Sequence, residues 1–171
     1  KKFDADVLVK SLAAYERTLI YGNSKFDQFV TGKAQLNPVE AEGHQLFNEI
    51  GCASCHSGIL FTSGDFENNG LYLYYEDKGR ARITLNPEDE GKFKVPSLRN
   101  VAITAPYMHD GSLNSLEEVM VHYNSGGKGH ANQHALVRPL NLSSDEQQAI
   151  ISFLYTLTDT EFFEGVDRLS H

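Results

Sequence analysis

Apolar residues recur at helical spacing near the start of the chain. The stretch shows the i, i+4, i+7 and i+11 pattern of a single helical face, at Leu8, Leu12, Tyr15 and Leu19. The pattern predicts a packed helix that ends before Gly22, and a turn-rich stretch then continues to Gly32.

A second helix is predicted from its start signals. Asn37 can cap a helix, Pro38 suits the first helical position, and Glu40 stands where a capping box places its carboxylate. Phe47 and Ile50 carry the apolar face to the end of this helix. The residues that follow Ile50 are therefore expected at a helix C-terminus.

Two further helices are predicted in the last third of the chain. Ser115 and Glu118 form a capping box pattern before the first of them, and Ser144 with Gln147 is predicted to open the second. The apolar positions of the two helices are Leu116, Val119, Met120 and Tyr123, then Ile150, Phe153, Leu154 and Leu157. The spacing turns Tyr123 towards the core.

The central part of the chain, residues 57–113, is rich in glycine, proline, aspartate and asparagine. These residues interrupt helices and strands, and they recur here too often for long ones to form. A short strand is predicted at residues 71–75, where apolar and aromatic residues cluster. The rest is expected to be ordered loops.

Composition narrows the class of protein. With 171 residues, of which 40% are hydrophobic, the chain can bury the core of one ordinary domain. The formal net charge of −8 argues against nucleic acid or an anionic membrane as partner. A basic protein partner fits this charge, and so does a role in solubility alone. Because no run reaches the roughly 18 apolar residues of a transmembrane helix, no membrane span is expected.

Both cysteines of the chain fall within one five-residue motif, Cys52-Ala53-Ser54-Cys55-His56. This C-x-x-C-H spacing is that of covalent haem attachment: two thiols one helical turn apart form thioethers, and the next imidazole reaches the iron. A thioredoxin-like site would need a βαβ setting, and a cysteine-rich zinc site would need more cysteines. One haem c is therefore predicted, with His56 as the proximal iron ligand. Haem attachment outside the cytoplasm places the protein in the periplasm or on an outward-facing surface.

The sixth iron ligand decides what such a haem does. A sulfur ligand raises the reduction potential and suits electron transfer, whereas an oxygen ligand or an open position favours peroxide chemistry. The candidates from the sequence are Met108, Met120 and Tyr123, then His109, His122, His130 and His134. Met120 lies on a helical stripe, where core packing is the simpler interpretation.

Residues 91–101 (GKFKVPSLRNV) and 104–111 (TAPYMHDG) closely resemble the C-terminal haem domain of bacterial di-haem cytochrome c peroxidases and their MauG-type relatives. The resemblance extends to the C-x-x-C-H motif and to residues 66–70, 116–118 and 122–124. It also reaches residues 15–19, which resemble the link between the two haem domains of that family. It implies an all-α, cytochrome c-like fold with long haem-wrapping loops, in which the helix ending at Ile50 packs on the helix from Ser144 with the haem between them. Residues 1–36 are expected to be a linker helix and turn from a missing N-terminal haem domain, and residues 37–171 to be the haem domain.

The resemblance also assigns site residues. It places the sixth iron ligand at Tyr123, which ranks first because the helical spacing agrees, with Met108 second. It implies a calcium ion held through the backbone oxygens of Thr104 and Pro106. Arg99 is the candidate partner for a haem propionate, and Pro106 is also expected at the haem.

The function that the resemblance implies is that of a haem domain in a periplasmic di-haem peroxidase. Such an enzyme reduces hydrogen peroxide to water with electrons from a small redox protein. The alternatives are a MauG-like haem oxidase, favoured by a Tyr123 ligand, and a plain electron-transfer cytochrome c. The chain has one haem motif where the family carries two. The isolated chain is therefore expected to be weakly active or inactive.

Overall fold

The computed structural model describes residues 4–18 and 22–159 of the chain. Helices and strands occur in the order α1 Ala5–Glu16, α2 Lys25–Val30, α3 Pro38–Glu49, α4 Cys52–Cys55, β1 Phe66–Glu67, α5 Ala81–Thr84, β2 Phe93–Lys94, α6 Leu116–Ser125 and α7 Ser144–Tyr155. Two short 3₁₀ helices, Pro87–Asp89 and Val101–Ile103, lie on either side of β2. Among the described residues, no helix is both long and apolar enough to cross a membrane.

Helix α1 is present but does not pack as predicted. Asp4 caps it by accepting a hydrogen bond from the backbone N–H of Val7. Its apolar positions Leu8, Leu12 and Tyr15 are 45%, 53% and 56% exposed. The prediction of a packed helix is therefore wrong for these side chains, which contact solvent. Leu19, the last position of the predicted stripe, lies outside the described residues.

Helix α2 falls in the stretch where only turns were predicted. Ser24 and Asp27 form a reciprocal capping box, and Ser24 is buried. Phe26 packs against the hydrophobic core, and its N–H donates to the carbonyl of Thr156. Residues 24–30 thus contact the body of the domain, although the predicted boundary places them in a linker that ends at residue 36.

Helices α3 and α7 pack on each other, as predicted. Asn37 and Glu40 form the predicted capping box of α3, whereas α7 is capped by Ser143 and Glu146, one residue earlier than predicted. At the contact, a Cβ on Gly43 would overlap the carbonyl of Ala149. A haem cannot separate the two helices there, which corrects the expected arrangement with the haem between them.

The hydrophobic core is built from α3, α6 and α7. Its buried members are Phe47, Leu116, Met120, Ile150, Ile151, Phe153, Leu154 and Leu157. Met120 belongs to this core, so the core interpretation of its position on the stripe is confirmed. The core forms one wall of the cavity described below.

A small antiparallel sheet qualifies the expected all-α class. Its register pairs Phe66 with Lys94 and Glu67 with Phe93. The strand predicted at residues 71–75 is wrong, because the chain turns there: the Asn68 side chain accepts hydrogen bonds from the Gly70 N–H and the Tyr75 hydroxyl. The fold is mainly helical, with this two-stranded sheet and long ordered loops.

Candidate functional site

A cavity of about 470 Å³ lies beside the α3–α7 contact. Its walls are mostly apolar, and its volume is within the roughly 300–1,000 Å³ typical of cofactor pockets. Helices α3 and α7 contribute side chains to one side, and α4, α6 and the loops close the others. The residues that matter for its chemistry are Cys52, Cys55, His56, Met108, His109, Tyr123 and His134.

Both cysteines reach this cavity from the single turn of α4. Gly51 precedes the turn with φ of +97°, a left-handed conformation that ends α3 and that glycine adopts without strain. Burial raises the pKa of the Cys52 thiol to about 11, and burial with the nearby carboxylates of Glu67 and Asp65 raises the pKa of Cys55. Both thiols are held protonated, and neither forms a disulfide.

His56 presents one ring nitrogen to the cavity. Its Nδ1 lies 3.1 Å from the carbonyl oxygen of Phe61. A carbonyl oxygen only accepts, so this contact is satisfied by the neutral tautomer with the hydrogen on Nδ1 and the lone pair on Nε2, and the ring also contacts the Pro96 backbone. Burial lowers the pKa of His56, which favours this neutral form. A neutral imidazole whose second nitrogen is fixed by a backbone carbonyl is the usual arrangement of a metal ligand.

Tyr123 also lines the cavity, on helix α6. Ser115 caps this helix by accepting from the N–H of Glu118. The Glu118 carboxylate accepts from the N–H of Asn114 and not from that of Ser115. The return bond of the predicted capping box therefore reaches one residue earlier than expected. Burial raises the pKa of Tyr123 to about 12, although a hydrogen bond with the Asn69 side chain acts in the opposite direction.

Met108 reaches the same cavity from a loop. Its backbone has φ of +72°, which is uncommon for a residue with a Cβ. The Asn69 amide donates to its sulfur, with 3.1 Å between Nδ2 and Sδ. The two candidate iron ligands, Met108 and Tyr123, therefore line the cavity together with Asn69.

The four histidines that were the weaker candidates are divided by the structure. His109 and His134 line the cavity, and the His109 ring stacks on Phe93 at 3.8 Å between centroids. His122 lies 2.9 Å from the carbonyl oxygen of Asn69 through its Nε2, and His130 is 3.2 Å from the Asn68 amide through Nδ1. The last two serve as local hydrogen-bond partners.

Arg99, the predicted partner of a haem propionate, pairs with protein groups in the structure. Its guanidinium makes a bidentate ion pair with Asp27, at 2.9 and 2.8 Å, and its Nε donates to the carbonyl of Ile59. These bonds use three of the five N–H donors of the guanidinium, and the propionate role of Arg99 stays a prediction. The hydrogen bonds from Arg99 lower the pKa of Asp27 to about 2.

Thr104 and Pro106 lie at the cavity, beside Met108. Within the described ranges, no three side chains of histidine, cysteine, aspartate or glutamate are grouped to hold a metal ion. The calcium ion was predicted through backbone oxygens, which such a grouping does not test, and it stays a prediction.

The roles of two residues of the site were not predicted. Phe61 acts through its carbonyl, which any residue type could supply. Asn69 lies within residues 66–70, which resemble the family, but its contact with Met108 spans 39 residues. Neither contact follows from local spacing.

The donor set fits a covalently attached haem. Two thiols one turn apart, an imidazole whose Nδ1 is bonded to a carbonyl, a phenol and a thioether line one largely apolar cavity. This convergence of residues from α4, α6 and the loop before α6 is the main finding at the site.

Comparison with known proteins confirms the predicted resemblance. The chain is 36% identical over 158 residues to a cytochrome c551 peroxidase of Nitrosomonas europaea, which covers 90% of this chain and 44% of that protein. It is 36% identical over 151 residues to the methylamine utilization protein MauG of Methylorubrum extorquens, covering 86% and 42%. The chain thus spans about half the length of the curated relatives it matches. No family model matches the sequence.

Solved structures show the same fold. A MauG-like protein associated with microbial copper homeostasis superposes with a TM-score of 0.82 at 34% identity, covering 86% of this chain and 51% of that one. The diheme peroxidase BthA of Burkholderia thailandensis superposes with a TM-score of 0.66 at 23% identity, which shows the fold alone. The cytochrome c-like architecture is therefore shared with MauG-like and diheme proteins.

Proposed function

We propose that this chain is the c-type haem domain of a longer di-haem peroxidase, related to the cytochrome c peroxidases and MauG proteins it resembles. The observation that carries the proposal is the convergence of the C-x-x-C-H motif and Tyr123 on one apolar cavity. The names of the relatives support it, as does the share of their length that the chain covers.

Cys52 and Cys55 would hold the haem through thioethers, and His56 would bind the iron through Nε2. Tyr123 is the first choice for the opposite side of the iron and Met108 the second. When bound, the haem supplies one-electron transfer at iron, at a potential that its axial ligands set.

The chain's own residues prepare this site. The Phe61 carbonyl holds the His56 ring, which lines the cavity, through Nδ1. The Tyr123 oxygen holds its proton at neutral pH, since its pKa is about 12, so binding to a metal ion would release that proton. Leu116, Ile150 and Leu154 line the apolar wall that excludes water.

The leading function is electron transfer for the reduction of hydrogen peroxide to water. The partners would be a second, N-terminal haem domain of the same protein and a small redox protein as electron donor. The compartment would be the periplasm. Residues 1–36 would include the linker to the missing domain, and the backbone of Thr104 and Pro106 would hold a calcium ion near the domain junction.

Two alternatives have separate support. A MauG-like oxidase is favoured by Tyr123 in the cavity, because an anionic oxygen ligand stabilises oxidised iron. A plain electron-transfer cytochrome c would suit a Met108 ligand, whose sulfur reaches the same cavity.

Mass spectrometry of the chain, matured with the haem-attachment machinery and then denatured, tests the haem assignment. The expected mass is that of the polypeptide plus one haem. The control is a Ser54→Ala variant, which changes the motif's exposed middle residue and should keep the haem. A bare polypeptide mass would contradict the assignment.

Peroxide turnover with one electron donor separates the functions. The full-length protein should reduce hydrogen peroxide, whereas the isolated chain, with a single haem motif, should do so poorly. Equal turnover by the two proteins would contradict the di-haem proposal, and a full-length protein that oxidises a protein substrate instead would favour the MauG-like alternative.

A further inference from the structure

Asn69 lies in a turn that is fixed from several directions. The side chain of Asn68, which is fully buried, accepts from the Gly70 N–H at 2.8 Å. The Asn69 carbonyl accepts from Nε2 of His122 at 2.9 Å, which ties the turn to helix α6 next to Tyr123. Asn69 and the Tyr123 backbone are therefore held in a constant relation.

The orientation of the Asn69 amide follows from its neighbours. Its Oδ1 accepts from the N–H of Leu71 at 3.2 Å, and only the oxygen of an amide accepts. The NH₂ group must then face the other way, where its Nδ2 lies 3.1 Å from the Met108 sulfur. Asn69 lines the cavity together with both Met108 and Tyr123.

The contact with Asn69 affects one of the two candidate ligands. Donation to the Met108 sulfur engages lone-pair density that a bond to iron would need. Of the two candidates, the Tyr123 oxygen is then the one left to bind the iron. The left-handed backbone of Met108 indicates that surrounding contacts, and not its own preference, hold it in place.

We propose that Asn69 is a positioning residue that selects the sixth iron ligand: it holds the Met108 thioether back and so leaves that position to the Tyr123 oxygen. The inference rests on the haem assignment proposed above and deepens it. Asn69 acts through Met108 and does not itself bind the iron.

An Asn69→Asp variant of the haem-loaded, full-length protein tests this role. Aspartate keeps the shape and the acceptor for Leu71 but, at pH 7, has no donor for Met108. The ferric spectrum should gain a sulfur-to-iron charge-transfer band, and the reduction potential of this haem should shift upward, because thioether ligation raises the potential. The Asn69→Leu variant also lacks the donor but, unlike Asn69→Asp, it adds no negative charge. It should show the same changes.

Two further variants make the interpretation specific. Adding Met108→Leu to Asn69→Asp should abolish the new band, whereas Met108→Leu alone should leave the spectrum of the parent protein unchanged. The matched control is Asn132→Asp, because the Asn132 amide donates to the carbonyls of Pro87 and Glu90, outside the cavity. It should leave the spectrum and the potential unchanged.

Each contrary result has its own meaning. An unchanged spectrum and potential in both Asn69 variants would overturn the role of Asn69. A parent protein that already shows the sulfur-to-iron band, lost in Met108→Leu, would overturn it too, because Met108 would then be the ligand. The haem assignment survives both results and fails only if the denatured chain lacks the haem mass.

Discussion

Single residues hold this fold together where distant segments meet. The Asp27–Arg99 ion pair joins α2 to the loop before the Val101–Ile103 helix, with only 12% of the Arg99 side chain and 19% of the Asp27 side chain exposed. Such a bidentate pair, shielded from water, contributes more than a surface ion pair. It stabilises the packing of a segment that sequence reasoning had assigned to a linker.

The ion pair should make stability depend on pH in the acid range. Because the folded pKa of Asp27 is lowered from 3.8 to about 2, its stabilising contribution is complete above pH 4 to 5 and is lost as the pH falls towards 2. Between pH 5 and pH 2, the parent chain should lose about 2 kcal/mol more unfolding free energy than Asp27→Asn. Denaturant titrations across this range measure the difference.

The control for this measurement is Glu42→Gln, an exposed position on α3. Its pH dependence should follow that of the parent chain. A parallel loss of stability in the parent chain and in Asp27→Asn would show that the ion pair contributes nothing that depends on the Asp27 charge.

Gly43 is the second position where one residue decides the packing. An added methyl group would overlap the Ala149 carbonyl, and backbone atoms cannot rotate away as a side chain does. Gly43→Ala should lower the unfolding free energy by about 1–3 kcal/mol, the usual cost of overpacking. Gly22→Ala, where nothing lies within 4 Å of the added Cβ, should change it by less than about 0.5 kcal/mol. Equal denaturation midpoints for the two variants would contradict the tight contact.

At the scale of helices and strands, the sequence predicts what is local and misses what is not. The starts of α3 and α6 follow from capping residues a few positions apart, and these predictions are confirmed. Helix α2 has only six residues, too few for an apolar period, although its Ser24–Asp27 box was readable. The two-residue strands pair across a long loop, and nothing in either strand specifies the partner.

The same distinction holds for the site. The C-x-x-C-H motif identifies its cofactor chemistry because covalent attachment demands a fixed spacing. Tyr123 follows from the helical period of α6, which turns it to the cavity. The partner of Arg99 and the contact between Asn69 and Met108 arise only after folding, since 72 and 39 residues separate the pairs.

The start of α7 offers a test in which adjacent serines have different roles. Ser143 caps the helix, and Glu146 completes its capping box, whereas Ser144 is already inside the helix. Ser143→Ala should cost about 1 kcal/mol and lower the melting temperature by about 2–4 °C. Ser144→Ala is the matched control and should be nearly neutral. If Ser144→Ala is the more damaging variant, the helix begins where the sequence had predicted.

At the scale of the whole molecule, helices and loops of the described chain line a mostly apolar cavity next to the hydrophobic core. Four residues of the hydrophobic core also line the cavity: Phe47, Leu116, Ile150 and Leu154. A cavity of about 470 Å³ far exceeds the roughly 150 Å³ of engineered cavities that remain empty and dry in stable proteins. We therefore expect that a ligand in the cavity stabilises the folded state.

Removing the haem should loosen the whole domain. The Cys52→Ala/Cys55→Ala variant cannot form thioethers, so we expect a lower melting temperature and increased binding of a hydrophobic dye, with most helical circular dichroism retained. The control is again Ser54→Ala, which should melt like the parent chain. A double variant that melts like the parent chain without haem would show that the cavity needs no ligand for stability.

The close contact at Gly43 also restricts which substitutions this sequence can accumulate during evolution. Phe47 and Ile50 follow Gly43 on the same face, one turn and two turns later respectively. Both side chains line the cavity. A larger residue at position 43 would push α3 and α7 apart, and the wall made by Phe47 and Ile50 would move with them. A neutral substitution of Gly43 is therefore expected only when several wall residues change together. A position that touches no cofactor can in this way limit the evolution of the cofactor site.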